Sequence, residues 1–356
     1  MARYDRIASL PPPARDEAFP GWPVLRDLES RERDPDLGRR VRLRFLALRP
    51  VRRLLAQGVD AVPADSFDRQ VEGVREELGL LPARDPERIR LTRFLRQVRL
   101  RTPLALTTAT LDLGEMIEAA GHLNGAAECY RIALEIAEAY RLDPEQVTAL
   151  RLLGGIHRKS GRWDDAEEAF RLAVDLAHRL THPQQWTRSA EALALVLRER
   201  GRPDEAGRLY ERMLEHAVEH AEPTLYADAL VGICLAKVEA GDLDAAIEHG
   251  WEAIGRTTDE AQRTAVIHAL GLAFAGLGLN DAAERCQQVL ADRVRERPDA
   301  TPVRWPAPPP PARPATASVP GAAPPEPPRA GPPSDAARRI AAEVASASDR
   351  LVPASG

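Results

Sequence analysis

One pattern of residues returns about every 40 positions between residues 107 and 296, and it limits the possible folds more than any other feature. Five residues after the central glycine of each copy stands an alanine, and seven residues before it stands a small residue. A fixed period of this length is typical of stacked repeat architectures. The five central glycines are spaced by 40, 40, 40 and 37 residues: Gly121, Gly161, Gly201, Gly241 and Gly278.

Each copy has the pattern of two amphipathic helices joined by a turn. Apolar residues recur at three- and four-residue steps on both sides of the glycine, which is the period of a helix with one buried face. The glycine suits a left-handed residue that ends the first helix, and acidic residues such as Asp164 suit the start of the second. Pro144, Pro183 and Pro223 mark the passage from one copy to the next. Because one hairpin cannot bury its apolar face alone, the copies are predicted to stack as an all-α solenoid.

An aromatic residue follows the glycine by nine positions in three copies, as Tyr130, Phe170 and Tyr210. Together with the Leu–Gly pair before the turn and the run Tyr130, Ala133, Leu134, this pattern resembles tetratricopeptide repeats. The usual period in that family is about 34 residues, so copies of 40 residues imply longer helices. The resemblance implies an α-solenoid whose first helices line a concave groove, and a function in protein–protein interaction.

The groove residues follow from the helical face that lies away from the packing positions. Residues 13, 10, 6 and 3 before each glycine share that face. It changes from acidic in the first copy, with Glu115 and Glu118, through Arg-rich to apolar, and it suits a peptide or helix with an acidic part and an apolar part. The lysines and asparagines with which some family members bind a terminal carboxylate are missing. The predicted partner-binding residues are Arg151, Arg158, Arg188, Glu191, Leu195, Arg198, Val231, Leu235, Val238, His268 and Leu272.

Residues 1–106 match the repeat poorly but have a helical pattern, and we expect a helical cap or a small helical domain. The candidate helices are 37–57, broken or kinked at Pro50, then 66–79 and 86–101. An arginine cluster here suits a nucleic acid, an anionic membrane or an acidic partner, but also a solvated face or ion pairs with the protein's own acidic repeats. Its members are Arg39, Arg40, Arg42, Arg44, Arg49, Arg52 and Arg53.

The net charge is −5 in total, about +6 over residues 1–106 and −13 over residues 107–296. An acidic repeat region argues against nonspecific binding of nucleic acid there. Nucleic acid is therefore not the expected partner.

The C-terminal part has two segments. Residues 297–333 hold 15 of the 31 prolines and are predicted to form a disordered spacer. Residues 334–356 begin with Ser334 as a helix N-cap and place Ile340, Val344, Ala347 and Leu351 on one stripe. One hypothesis is that this short amphipathic helix folds back and occupies the groove.

The sequence contains no catalytic motif and no cofactor-binding fingerprint, so an enzyme is not expected. Two pairs of histidines spaced by one helical turn, His178 with His182 and His216 with His220, are a weak candidate for a metal site. Their position near helix C-termini explains them without a metal. The three cysteines occupy packing positions.

The chain shows neither a signal peptide nor an apolar stretch long enough to span a membrane. With few cysteines, we expect a cytoplasmic protein, and the bias towards Ala, Arg and Pro suggests a bacterial one. The favoured function is a protein-interaction scaffold. The alternative is a sensory or transcriptional regulator whose repeats bind a signal peptide or small ligand and whose N-terminal region contacts an effector. The oligomeric state is left open.

Overall fold

The structure, a computed structural model, describes residues 35–57, 61–296, 331–346 and 351. Every regular element in these ranges is an α-helix. The helices are α1 (Pro35–Gln57), α2 (Ala64–Leu78), α3 (Pro86–Val98), α4 (Pro103–Ala119), α5 (Leu123–Ala139), α6 (Asp143–Lys159), α7 (Trp163–Arg179), α8 (Pro183–Glu199), α9 (Pro203–Glu219), α10 (Pro223–Ala240), α11 (Leu243–Arg256), α12 (Glu260–Gly276), α13 (Asn280–Glu296) and α14 (Asp335–Ala345).

From α4 to α13 the helices are paired as five successive hairpins, each with a first and a second helix. The chain divides into two compact units, residues 1–189 and 190–356. In the first unit α4, α5, α6 and α7 pack in chain order, and in the second α9 to α13 do the same. The predicted all-α solenoid of stacked helix-turn-helix repeats is confirmed.

Each hairpin turns at its central glycine. The five glycines have φ angles of +84°, +72°, +72°, +83° and +75°, in the left-handed region that residues with a Cβ atom enter only at a cost. The sequence had predicted this conformation. It ends the first helix and allows the chain to reverse within three residues.

A second set of left-handed residues joins one hairpin to the next. Arg101, Arg141, Thr181 and Ala221, spaced 40 residues apart, have φ angles of +54°, +54°, +50° and +53°. The sequence had indicated these junctions only through the prolines that follow them. Arg101 extends the series upstream, because α3 is connected to α4 as later second helices are connected to the next hairpin.

Small residues and aromatic rings lock the helices together. A Cβ atom on Gly154 would lie 2.8 Å from the ring of Phe170, and one on Gly114 would overlap the ring of Tyr130. In the third copy the ring of Tyr210 packs closely on Gly232 of the following hairpin. The alanines five residues after each central glycine are all buried, as predicted.

The fourth hairpin explains the shorter spacing of 37 residues. Its second helix, α11, has 14 residues, whereas α5, α7 and α9 each have 17. Gly250 stands at the aromatic position, and a Cβ atom there would lie 2.8 Å from the sulfur of Cys234 and 2.9 Å from Leu270. The irregularity therefore lies in the second helix of the fourth copy.

The N-terminal helices α1, α2 and α3 belong to the first unit, and α1 packs against α2, α3, α4 and α5. Helix α1 continues through Pro50 without the break that was considered. Leu48 is buried, as are Phe94, Leu95 and Val98. The side chains of Leu37, Val41 and Phe45, on the same helix as Leu48, lie outside the described residues.

The C-terminal helix α14 packs against α11 and α13. Ser334 caps it as predicted, and its hydroxyl accepts a hydrogen bond of 3.1 Å from the amide of Ala337. Ile340, Val344 and Leu351 are buried in the core of the second unit. The hypothesis that this helix occupies the groove is wrong: α11 and α13 are second helices, whereas the groove face belongs to first helices. Residues 297–330, most of the predicted spacer, lie outside the described residues, as does Ala347.

Candidate functional site

In the first unit, three arginines lie on the predicted groove face of the first helices. Arg151 and Arg158 lie two helical turns apart on α6 and are half-buried, and Arg188 on α8 is exposed. We call Arg151, Arg158 and Arg188 the arginine face. Within this face the charges of Arg151 and Arg188 repel each other.

Arg151 has an unfavourable electrostatic environment. Burial and the positive charge of Arg188 lower its pKa, and the charge of Glu115 only partly opposes this. Within the described residues, no hydrogen bond or salt bridge reaches its guanidinium. A partly buried cation beside a second cation is costly unless an anion accompanies it.

The acidic end of the predicted groove face, with Glu115 and Glu118, is less available to a partner than the sequence suggested. Glu118 accepts a hydrogen bond of 2.7 Å from the hydroxyl of Tyr130. It also forms an ion pair with Lys159, whose Nζ lies 2.5 Å from its carboxylate oxygen. Burial, together with this carboxylate, raises the pKa of Tyr130, so the hydroxyl stays protonated. Glu115 is exposed. Glu118 therefore has a structural role between α4, α5 and α6.

In the second unit, Arg198 is committed to an internal ion pair. Its Nε and Nη2 atoms donate to the two carboxylate oxygens of Glu239 at 2.9 and 2.5 Å. Burial lowers the pKa of Arg198, but the hydrogen bonds and charge of Glu239 outweigh this and raise it overall. Although Arg198 was predicted to face the groove, its guanidinium is not available to a ligand.

Glu191 and Asp228 bring two negative charges near each other in the second unit. Burial, and then the charge of Asp228, raise the pKa of Glu191. Asp228 accepts a hydrogen bond of 2.6 Å from the side-chain amide of Gln262. Leu195, one turn after Glu191, is half-buried. The negative charges of Glu191 and Asp228 therefore lie beside a part of the groove face that the sequence had predicted to be Arg-rich.

The apolar positions of the predicted groove differ in exposure. Val231 is buried in the hydrophobic core, and Leu235 and Val238 are partly buried against it. His268 is exposed, and the side chain of Leu272 is 45% exposed. Val231 is therefore a core residue, since it packs between helices instead of facing a partner. Of the predicted apolar groove residues, Leu272 is the one that presents the largest apolar surface.

The histidine pairs do not assemble into a metal site within the described ranges. His216 stacks on His220 with ring centroids 4.1 Å apart, and Nδ1 of His220 lies 3.0 Å from the carbonyl oxygen of His216. Among the described residues no group of three or more His, Cys, Asp or Glu side chains could hold a metal ion. His178 and His182 belong to the other unit.

The three cysteines are packing residues. Cys129, Cys234 and Cys286 are free and buried. Burial raises the pKa of each thiol to about 12. A thiol with such a pKa is protonated at neutral pH and is a poor nucleophile.

The arginine cluster of α1 is largely paired within the fold. Arg40 forms hydrogen bonds of 3.0 and 2.7 Å with the carboxylate of Asp85, and Arg44 forms a buried ion pair with Glu87. Arg52 pairs with Glu128 of α5, and Arg53 donates to the hydroxyl of Ser66. The side chains of Arg39 and Arg42 lie outside the described residues. Most of the described cluster therefore holds α1 against α2, α3 and α5.

A cleft of about 420 Å³ lies between α3 and α4 in the first unit. Its two walls carry opposite charges, and burial raises the pKa of Asp112 while the charge of Arg93 opposes the rise. The sequence pattern does not indicate this cleft, because residues 1–106 match the repeat poorly. The lining residues are Arg90, Arg93, Phe94, Gln97, Asp112, Leu113, Glu115, Met116 and Ala119.

Comparison with known proteins agrees with the repeat pattern. Two tetratricopeptide repeat family models match, over residues 105–178 and 189–223. No curated protein shows significant sequence similarity to the chain. None of the described helices combines the length and apolarity needed to cross a bilayer.

Two solved structures show partial similarity. One is the crystal structure of BtubC (BKLC) from P. vanneervenii, with a TM-score of 0.48 and 18% identity over 73% of this chain and 100% of that one. The other is aspartyl phosphate phosphatase F from Bacillus subtilis, with a TM-score of 0.47 and 17% identity over 83% of this chain and 82% of that one. The repeat geometry and the two matching family models together show that the chain contains tetratricopeptide repeats, over residues 105–178 and 189–223.

Proposed function

We propose that this protein is a non-enzymatic interaction scaffold and that the arginine face binds an acidic segment of a partner protein. Tetratricopeptide repeats typically mediate protein–protein interactions, which supports the general role. The observation that carries the specific proposal is the environment of Arg151. A carboxylate from a partner would offset the free-energy cost of burying Arg151 and of its repulsion from Arg188. It could do so because charge-assisted hydrogen bonds are among the stronger polar contacts.

The face of the second unit suits a different part of a partner. Leu272 is exposed and His268 lies one turn before it on α12, while Leu235 and Val238 are partly exposed on α10. These residues favour an apolar segment over a charged one. Glu191 and Asp228 would repel acidic residues from this unit, so acidic contacts are assigned to the first unit alone.

The arginine face is tested with a probe of defined charge. Fluorescein-labelled hexaglutamate should bind the full-length chain at low ionic strength, whereas labelled hexaglutamine should not, as measured by fluorescence anisotropy. R151A and R188A should each weaken hexaglutamate binding by about tenfold, since a hydrogen bond to a charged group contributes about 1.5–3 kcal/mol.

The matched control is R179A, which removes an exposed positive charge from the second helix α7. It should change the affinity less than twofold. Equal losses in all three variants would mean that hexaglutamate senses only net charge, and would contradict the assignment. Thermal melts by circular dichroism verify that each variant is folded.

The alternative, a regulator that senses a small ligand, draws support from the cleft between α3 and α4. Its volume lies within the range of small-molecule sites, roughly 300–1,000 Å³. Arg90 and Arg93 on one wall and Asp112 and Glu115 on the other would suit a zwitterionic compound. If so, free amino acids or dipeptides should raise the melting temperature of the chain, and R93A should abolish that rise while leaving hexaglutamate binding intact.

A further inference from the structure

Helix α14 covers α11 and α13 as a bound ligand would. Ala337, Ile340, Ala341 and Val344 are buried, at positions i, i+3, i+4 and i+7 of one helical face. They belong to the same hydrophobic cluster as the second-helix residues of the fourth and fifth hairpins, which include Trp251 and Val289. The contact surface therefore selects a short amphipathic helix with small or aliphatic side chains.

Polar contacts fix the two ends of the segment. The amide of Ser334 donates a hydrogen bond of 2.8 Å to the carboxylate of Asp244 on α11. Arg293 on α13 donates a hydrogen bond of 3.0 Å to the carbonyl oxygen of Leu351. Arg293 is also an ion-pair partner of Glu260. The site therefore has a defined length and a defined direction for the helix that it takes.

The short helix α14 buries little apolar surface against α11 and α13, which favours reversible docking. The helix has 11 residues, and isolated helices below about 12–15 residues are unstable in water. Two of its four buried side chains are alanines, which bury less apolar surface than larger side chains do. Residues 297–330 connect the helix to α13, so the endogenous helix binds its site intramolecularly.

We propose that the face formed by α11 and α13 is an exchangeable helix-docking site, which the chain's own helix α14 occupies until an amphipathic helix of a partner protein displaces it. The partner helix carries small or aliphatic residues at the positions of Ala337, Ile340, Ala341 and Val344, preceded by an N-terminal amide that contacts Asp244. The site lies on second helices and does not depend on the arginine face. A partner with both an acidic segment and such a helix would engage two separate surfaces.

The test uses the full-length chain and a fluorescein-labelled peptide of residues 331–351. I340D/V344D should release the endogenous helix and open the site, so the peptide should bind this variant. The wild-type chain should bind the same peptide at least about tenfold more weakly, because its own helix competes for the site intramolecularly. R339A, which changes an exposed residue of α14, should behave as wild type.

Three outcomes would overturn the proposal. The first is equal affinity of the peptide for the wild type and for I340D/V344D, and the second is no binding to either. The third is a wild-type dimer in analytical ultracentrifugation that I340D/V344D abolishes, since the helix would then dock on a second copy. D244A provides a check on the site itself: it leaves α14 unchanged in sequence but should weaken peptide binding when combined with I340D/V344D.

Discussion

Gly154 and Gly155 are neighbours on α6, yet their surroundings are opposite. A Cβ atom on Gly154 would lie 2.8 Å from the ring of Phe170, whereas nothing lies within 4 Å of one on Gly155. Phe170 is itself buried, so its ring has little freedom to move away. The first glycine is required by packing, and the second is not.

G154A should therefore destabilise the protein by about 1–3 kcal/mol, the usual effect of overpacking. G155A should stabilise it by about 0.5–1 kcal/mol, because alanine is the better helix former. Urea unfolding followed by circular dichroism measures both. Equal effects of the two substitutions would contradict the packing account.

Thr181 holds the left-handed conformation at the junction between α7 and α8 with φ +50°. A β-branched residue is strained there, by about 1–2 kcal/mol relative to the right-handed region. T181G should raise the free energy of unfolding by up to about 1 kcal/mol. The control T187G, within the regular part of α8, should lower it by about 1 kcal/mol. A loss of stability in both variants would show that the junction is not strained.

At the scale of elements, α1 is fastened to the start of α3 by charged side chains. Asp85 caps α3 by accepting from the amide of Glu87 at 2.9 Å, and it also accepts two hydrogen bonds from Arg40 of α1. The hydrogen bond from Arg40 is the main reason that the pKa of Asp85 lies below its ordinary value of 3.8. The carboxylate of Asp85 therefore caps the N-terminus of α3 and also binds α1 to it.

The sign of the pH dependence follows from that lowered pKa. The stabilising contribution of Asp85 is present above pH 3.8 and is lost as the pH falls through the lower pKa of the folded state. D85N keeps the helix cap but removes the charge, so it should be less stable than wild type near neutral pH. The difference should shrink below pH 3.8, as followed by thermal melts. The control D65N removes a carboxylate from an exposed site in the first turn of α2, and an equal loss of stability in D65N and D85N would contradict this account.

The elements themselves were predictable because their determinants are local. The turn glycines, the buried alanines and the Ser334 cap all act within a few residues of where they stand. The docking of α14 was not predictable, since an apolar stripe specifies that a helix is covered but not which surface covers it. The pairing of Arg198 with Glu239 was missed for a similar reason: it joins residues 41 positions apart on different helices.

At the scale of the whole molecule, most repeat helices pack against the helices next to them in sequence. Helix α14, from the C-terminal part of the chain, instead packs on α11 and α13. Helices α11 and α13 are each embedded in the core of the second unit, whereas α14 is attached to it by one face. Local stability in such arrays follows the number of packed neighbours.

Hydrogen exchange with mass spectrometry should therefore find residues 335–345 among the fastest-exchanging helical segments of the described chain. Their amides should exchange well before those of α11 and α13, because α14 can open without unfolding the helices beneath it. I340D/V344D should remove the remaining protection of this segment alone. Protection of α14 equal to that of α11 would indicate that it opens only together with the array.

The spacing of the hairpin junctions has a consequence for how such a chain can change in length. From Arg101 to Ala221 the same backbone conformation returns every 40 residues, so a block cut from one junction to the next is a cassette with matching ends. Duplicating or deleting a cassette would preserve every turn and junction. The series stops at α11, where Thr257 is extended and Asp259 caps α12. Cassettes can therefore be added or removed upstream of α11, while the helices that bind α14 stay unchanged.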